Sequence, residues 1–207
     1  KLYQLERLTW FLGLASFSEL AAEGKVKKDA HIFLNSISNC TMGTENRMLV
    51  EEKYRPLLKN IVLEVLEGEQ TNMDYANRKR KVMESWGAMI ALDDFGTGYN
   101  SEYALITMNP DMIKVDRSII SNCDHDTRKR MMVQNLVGLA KERGILVLAE
   151  GVETRGEMET VIACGVDLLQ GYYFAKPMFE PEAVCGEVIE EILAANRAKK
   201  KGVEGDI

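Results

Sequence analysis

Histidine is scarce in this chain: His31 and His125 are the whole supply in 207 residues. That excludes an imidazole-rich transition-metal centre, so any metal site has to be built from oxygen. Cysteine pairs are lacking as well, because Cys40, Cys123, Cys164 and Cys185 stand far apart with no CxxC spacing. They read as buried, reduced thiols and not as a zinc site or a disulfide framework. Positive charge is not in excess, since 26 Lys and Arg face 32 Asp and Glu for a net charge of −6. A general basic field for DNA is thereby ruled out. No apolar run reaches the length that spans a bilayer, and no signal-peptide pattern is present, so direct membrane contact by this chain is not expected. With reduced thiols a cytoplasmic location is the expectation, although a parent protein could be membrane-anchored.

What the sequence does have is an ordinary globular composition, 46% hydrophobic and 28% charged. Its length suits one well-buried domain, expected over residues 1–198, with a charged flexible tail at 199–207. Six short apolar runs each end on a polar residue: His31–Asn35, Ile61–Glu64, Met89–Asp94, Asp111–Asp116, Ile145–Glu150 and Val166–Gln170. Runs of this length rich in Ile, Val and Leu fit strands buried on both faces. The segments between them suit helices. Leu2–Ala22 has helical leucine spacing, Glu45–Leu58 precedes the second strand, and Asn72–Trp86 stops at Gly87. Asp126–Arg143 stops at Gly144, Thr154 and Glu157 have capping-box spacing, and Pro181–Ala198 has proline in its first turn. The alternation predicts an α/β fold of the (β/α)8 TIM-barrel type with its chemistry at the carboxyl ends of the strands. Six strands are present where a closed barrel has eight.

Asp93 and Asp94 end a strand ahead of Phe-Gly-Thr-Gly98. Neighbouring residues of a regular strand point to opposite faces, so both carboxylates serve one site only if the strand ends or bulges there. Taken alone the stretch reads equally as an acidic turn. Lys114 and Asp116 share one face of their strand, and a lysine in an apolar strand needs carboxylates to meet. A structural ion pair would satisfy that need, and Glu64 and Glu150 at strand ends are open to the same two readings. The coincidence of six polar strand ends points instead to one site. Asn35, Glu64, Asp93, Asp94 and Glu150 offer oxygen donors suited to Mg²⁺ or Mn²⁺, and two such cations could clamp a phosphodiester.

Leu92-Asp-Asp-Phe-Gly-Thr-Gly-Tyr99, Ile113-Lys-Val-Asp-Arg-Ser118, Ala149-Glu-Gly-Val-Glu-Thr154 and Leu169-Gln-Gly-Tyr-Tyr-Phe-Ala-Lys-Pro177 resemble the successive motifs of EAL domains, the cyclic di-GMP phosphodiesterases of bacteria. The resemblance covers about residues 8–185, with weaker matches at Phe33–Ser36 and Leu63–Glu67. It implies that Asn35, Glu64 and Asp93 hold one metal, and Asp93, Asp94 and Glu150 the second. It makes Lys114 the group that orients or activates the attacking water beside Glu150, and it places Gln170 and Asp116 by the substrate. Glu67 and Glu153 would support the site, and Asp94–Tyr103, with Gly96, Thr97 and Gly98, would be a loop linking it to a dimer contact. The family reaction is hydrolysis of one phosphodiester of cyclic di-GMP to the linear dinucleotide.

Three departures stand out. Leu66 and Gly68 replace the family's Thr and Ser, and Glu102 replaces a small polar residue. No Glu-Ala-Leu tripeptide occurs, although its glutamate is a metal ligand in the family. The chain therefore reads as an EAL domain lacking its first two strands. It is expected to be impaired by itself, to form a homodimer, and to belong to a parent protein with a sensor or GGDEF domain. The competing reading is a non-catalytic module that binds cyclic di-GMP or a protein partner. A Schiff-base lyase using Lys114 is disfavoured, because carboxylates around the amine would hold it charged.

Overall fold

The computed structural model of the chain describes residues 2–37, 39–66, 72–98, 101–178 and 180–204. They group into two compact units, one formed by Lys1–Asp93 with Gly98–Met112 and the other by Asp94–Thr97 with Ile113–Ile207. The first unit runs α1 (Leu2–Ala22), β1 (Ile32–Ser36), α2 (Thr44–Tyr54), a 3-10 stretch (Arg55–Asn60), β2 (Ile61–Leu66) and α3 (Met73–Trp86). It continues through most of β3 (Met89–Phe95), which passes into the second unit, and includes α4 (Ser101–Met108). The second unit carries β4 (Met112–Val115) from Ile113 onward, α5 (Arg117–Ile120), α6 (Thr127–Glu142), β5 (Leu146–Ala149), α7 (Arg155–Cys164), β6 (Leu168–Leu169) and α8 (Gly186–Glu204).

Among the described residues the six strands expected from the apolar runs all form, and their order in the sheet is their order in the chain. The pairs β1 with β2, β2 with β3 and β5 with β6 are parallel. Helices between parallel strands are what such a connection requires. β2 is buried from Ile61 to Val65 and β4 throughout, as two-sided burial of Ile, Val and Leu demands. In α1, Trp10, Leu14 and Phe17 recur at helical spacing and are buried. The Trp10 ring meets that of Trp86 on α3 edge to face, with centroids 6.4 Å apart.

Helix ends follow their capping chemistry. The Asn72 side chain accepts from the backbone N–H of Asp74 at 2.8 Å and starts α3, and Gly87 closes it in the left-handed conformation. Thr154 and Glu157 form the expected capping box at the start of α7.

Four expectations need correction. The helix read over Glu45–Leu58 divides, α2 ending at Tyr54, because Pro56 has no N–H to give the preceding turn. The last helix begins at Gly186, since the fixed φ of Pro181 fits the non-helical segment ahead of it just as well. It then runs to Glu204, so the helix takes in Lys199–Glu204 of the expected tail. Ala198 and the lysines that follow it are good helix formers. Residues 205–207 of the expected tail lie outside the described residues. Finally, α4 starts at Ser101, inside the segment read as a loop to Tyr103.

Candidate metal centre

In the first unit the strand register brings donors together. Asn35 lies opposite Glu64, and Glu64 opposite Ala91. Partners across a parallel pair share a face, so Asn35 and Glu64 emerge on the same side of the sheet. Asp93 is two residues beyond Ala91 and emerges on that side one pleat further on. Glu64 is buried, Asp93 half-buried and Asn35 exposed.

In the second unit Asp94 adopts φ 55°, a left-handed conformation that residues other than glycine seldom take. Its carbonyl accepts from the Thr97 hydroxyl at 2.9 Å and from the Thr97 N–H at 3.4 Å, which closes a tight turn. Gly96 has φ 96°, and a Cβ there would stand 2.7 Å from Ile119 Cδ1. The left-handed step at Asp94 departs from the extended backbone that sends neighbouring side chains to opposite faces. Asp94 and Glu150 offer carboxylate oxygens within 4.8 Å of each other.

Lys114 is buried in β4, with its Nζ 2.6 Å from a carboxylate oxygen of Glu150. This is a short charge-assisted contact, and it supplies the carboxylate that a lysine in an apolar strand requires. Glu150 is itself positioned by its N–H donating to the Val115 carbonyl at 3.1 Å, next to the end of β5. Gln170 is exposed just past β6, with its N–H on the Ala149 carbonyl and its carbonyl accepting from Val152 N–H. A Cβ on the adjoining Gly171 would lie 2.1 Å from the Val152 carbonyl oxygen, so this approach of two backbones admits glycine alone.

The remaining expected residues have structural partners. Asp116 is the N-cap of α5 and accepts from Ser118 N–H at 2.9 Å. Glu153 pairs with Arg117 at 2.9 Å. Thr97 and Gly98 lie in the turn after Asp94. Glu67 lies outside the described residues, as do Tyr99 and Asn100 of the expected loop.

Sequence reasoning missed the reach of Glu157. Its carboxylate accepts from Glu153 N–H at 2.8 Å, from Thr154 N–H at 3.0 Å and from Asn122 N–H at 2.8 Å. It thus ties the segment following Glu150 to the turn after α5. Burial by itself would raise this carboxyl, but the N–H donors of Asn122, Glu153 and Thr154 outweigh it and hold the group below the ordinary glutamate range. The capping-box spacing announced the local bonds, whereas the bond to Asn122 has no local signature.

Residues 5–177 match the EAL domain family. The chain belongs to the EAL domain family. Its sheet is accordingly of the TIM-barrel type, with residues of the matched motifs at the carboxyl ends of the strands. This EAL chain is 33% identical over 165 residues, 77% of its length, to the cyclic di-GMP phosphodiesterase PdeF of Escherichia coli K12, of which it spans 22%. Among solved structures it resembles a standalone EAL protein of Vibrio cholerae O395 bound to cyclic di-GMP. That likeness has a TM-score of 0.77 at 27% identity and covers 89% of this chain and 78% of the other. It also resembles BlrP1 of Klebsiella pneumoniae in a manganese and cyclic di-GMP complex, with a TM-score of 0.72, 26% identity and coverage of 84% and 45%. No helix among the described residues is long and apolar enough to cross a membrane.

Proposed function

We propose that the protein carrying this EAL chain hydrolyses one phosphodiester of cyclic di-GMP to the linear dinucleotide with the help of Mg²⁺ or Mn²⁺. The observation that carries this reading is the convergence of Asp94 and Glu150 with the buried Lys114–Glu150 pair at strand ends of the second unit. The donors are all oxygen, which fits either cation. Asn35, Glu64 and Asp93 would hold one metal, and Asp93, Asp94 and Glu150 the other. Bound there, the cations would stabilise charge on the attacking and leaving oxygens. Lys114, its ammonium held beside Glu150, orients the attacking water. Gln170 and Asp116 adjoin the substrate, while Glu153 and Glu67 support the site.

The proposal extends to a single domain over 1–198, a cytoplasmic homodimer, and a parent protein with a sensor or GGDEF domain. These 207 residues alone are expected to turn over slowly, because no Glu-Ala-Leu glutamate is among them. The same feature favours a second reading, a module that binds cyclic di-GMP without cleaving it. Calorimetry with and without Mn²⁺, followed by product analysis, separates the two. Metal-dependent cleavage supports the enzyme, whereas binding with no product from the full-length protein supports the module. Rapid turnover by the 207 residues alone would overturn the expected impairment.

A further inference from the structure

The first unit encloses a cavity of about 380 Å³ to whose walls Asn35, Glu64 and Asp93 contribute nothing. That volume is in the range that takes a small organic ligand. Its floor is apolar, built from the buried side chains of Trp10, Leu63, Met83 and Trp86. Both indole N–H groups are engaged elsewhere, Trp10 on the Asn35 carbonyl at 3.0 Å and Trp86 on the Glu51 carboxylate at 2.8 Å. The rings therefore offer the cavity carbon.

The rest of the lining is strongly one-signed. Among the described residues, Arg7, Arg47, Arg78, Lys79 and Lys81 contribute to it against the carboxylate of Glu6. In a chain of net charge −6 that concentration of cations is a local exception. Glu6 already accepts from Ser36 Oγ at 2.9 Å and from Ile37 N–H at 3.0 Å. Lys79 donates to the same Ser36 hydroxyl and to the Ile37 carbonyl. Arg47 differs, because its Nε is buried and has no hydrogen-bond partner among the described residues. The nearby Glu51 oxygen, 3.5 Å from that Nε, is the one that accepts from Trp86. That contact is a long ion pair on a side chain 41% exposed, and an anion entering the cavity would offer this Nε an acceptor not shared with Trp86.

The geometry points to a second binding site, distinct from the strand-end carboxylates, for a small organic anion with a flat apolar body, such as an aromatic carboxylate. Its ring lies over the tryptophan floor and its carboxylate meets Arg47 and the cationic rim. A neutral ring gives Arg47 no acceptor beyond the 3.5 Å Glu51 contact, and an inorganic anion leaves the apolar floor uncovered.

The chain has two tryptophans, and both line the cavity. The indole N–H signals in a nitrogen-15 correlation spectrum therefore report occupancy directly, and the remaining signals report the fold. Titration of the 207-residue chain with 2-naphthoate should shift both indole signals saturably. Replacing the probe by neutral 2-naphthalenemethanol should weaken binding about tenfold, the worth of one charge-assisted hydrogen bond. Arg47→Gln should weaken naphthoate by about the same factor, and Arg78→Gln, at an exposed position, gives a charge test that does not disturb buried groups. Val82→Phe, which fills the cavity, should abolish the shifts while the other signals stay dispersed. Indole signals that do not move overturn the proposal. So does equal affinity for the charged and neutral probes, or binding that survives both Arg78→Gln and Val82→Phe.

Discussion

The two units place their metal-donor candidates by different means. In the first, Asn35 and Glu64 face the same way because two parallel strands pair in register, and strand pairing suffices to put them there. In the second, each candidate depends on its own device. Asp94 needs a left-handed residue, Glu150 a buried lysine, and the segment after Glu150 a carboxylate that collects three N–H groups. Donors set by register are backed by every ladder bond of the sheet. Donors set by a network depend on a few side chains, and losing one of these is felt at once.

Substitutions that separate the two modes should rank accordingly. Glu150→Gln removes a donor carboxylate and the acceptor of Lys114. It should lower metal-dependent hydrolysis by the full-length protein by about a thousandfold or more while circular dichroism stays native. Gly171→Ala drives a Cβ into the Val152 backbone and should cost about 3 kcal/mol, read as a lower midpoint in urea.

Glu157→Gln should cost about 2 kcal/mol at neutral pH, since three backbone donors lose their charged acceptor. Its pH dependence has a definite sign. The folded carboxyl titrates below the unfolded one, so its contribution is complete above the ordinary glutamate value of about 4.3. It is lost as pH falls through the folded value. The stability gap between wild type and Glu157→Gln should therefore close in acid, and a gap that widens in acid would refute the three-donor assignment. The smallest effect belongs to the first unit, where Asn72→Ala removes the cap of α3 and should cost about 1 kcal/mol by thermal melting with no change in metal binding.

Much of this division could be read in the amino-acid order. Apolar runs announced all six strands, and residue types at fixed offsets announced Asn72 and the Thr154–Glu157 box. The Asp93–Asp94 pair read equally as an acidic turn or as a break in β3, and the left-handed φ of Asp94 is the departure found there. Contacts between distant segments were not legible. Glu157 reads as a local cap until Asn122 arrives from 35 residues away. α5, four residues long, is too short to carry a period. The break at Pro56 could have been foreseen from proline chemistry, and the helical spacing around it masked the signal.

The assignment of the second unit's carboxylates is decided by one assay, the release of linear dinucleotide from cyclic di-GMP by the full-length protein and by its Glu150→Gln variant, each with Mn²⁺ and with chelator. Product should form with the wild type and Mn²⁺ alone. Product at the same rate from the variant, or undiminished by chelator, would contradict a metal-binding role for Asp94 and Glu150 and a water-orienting role for Lys114.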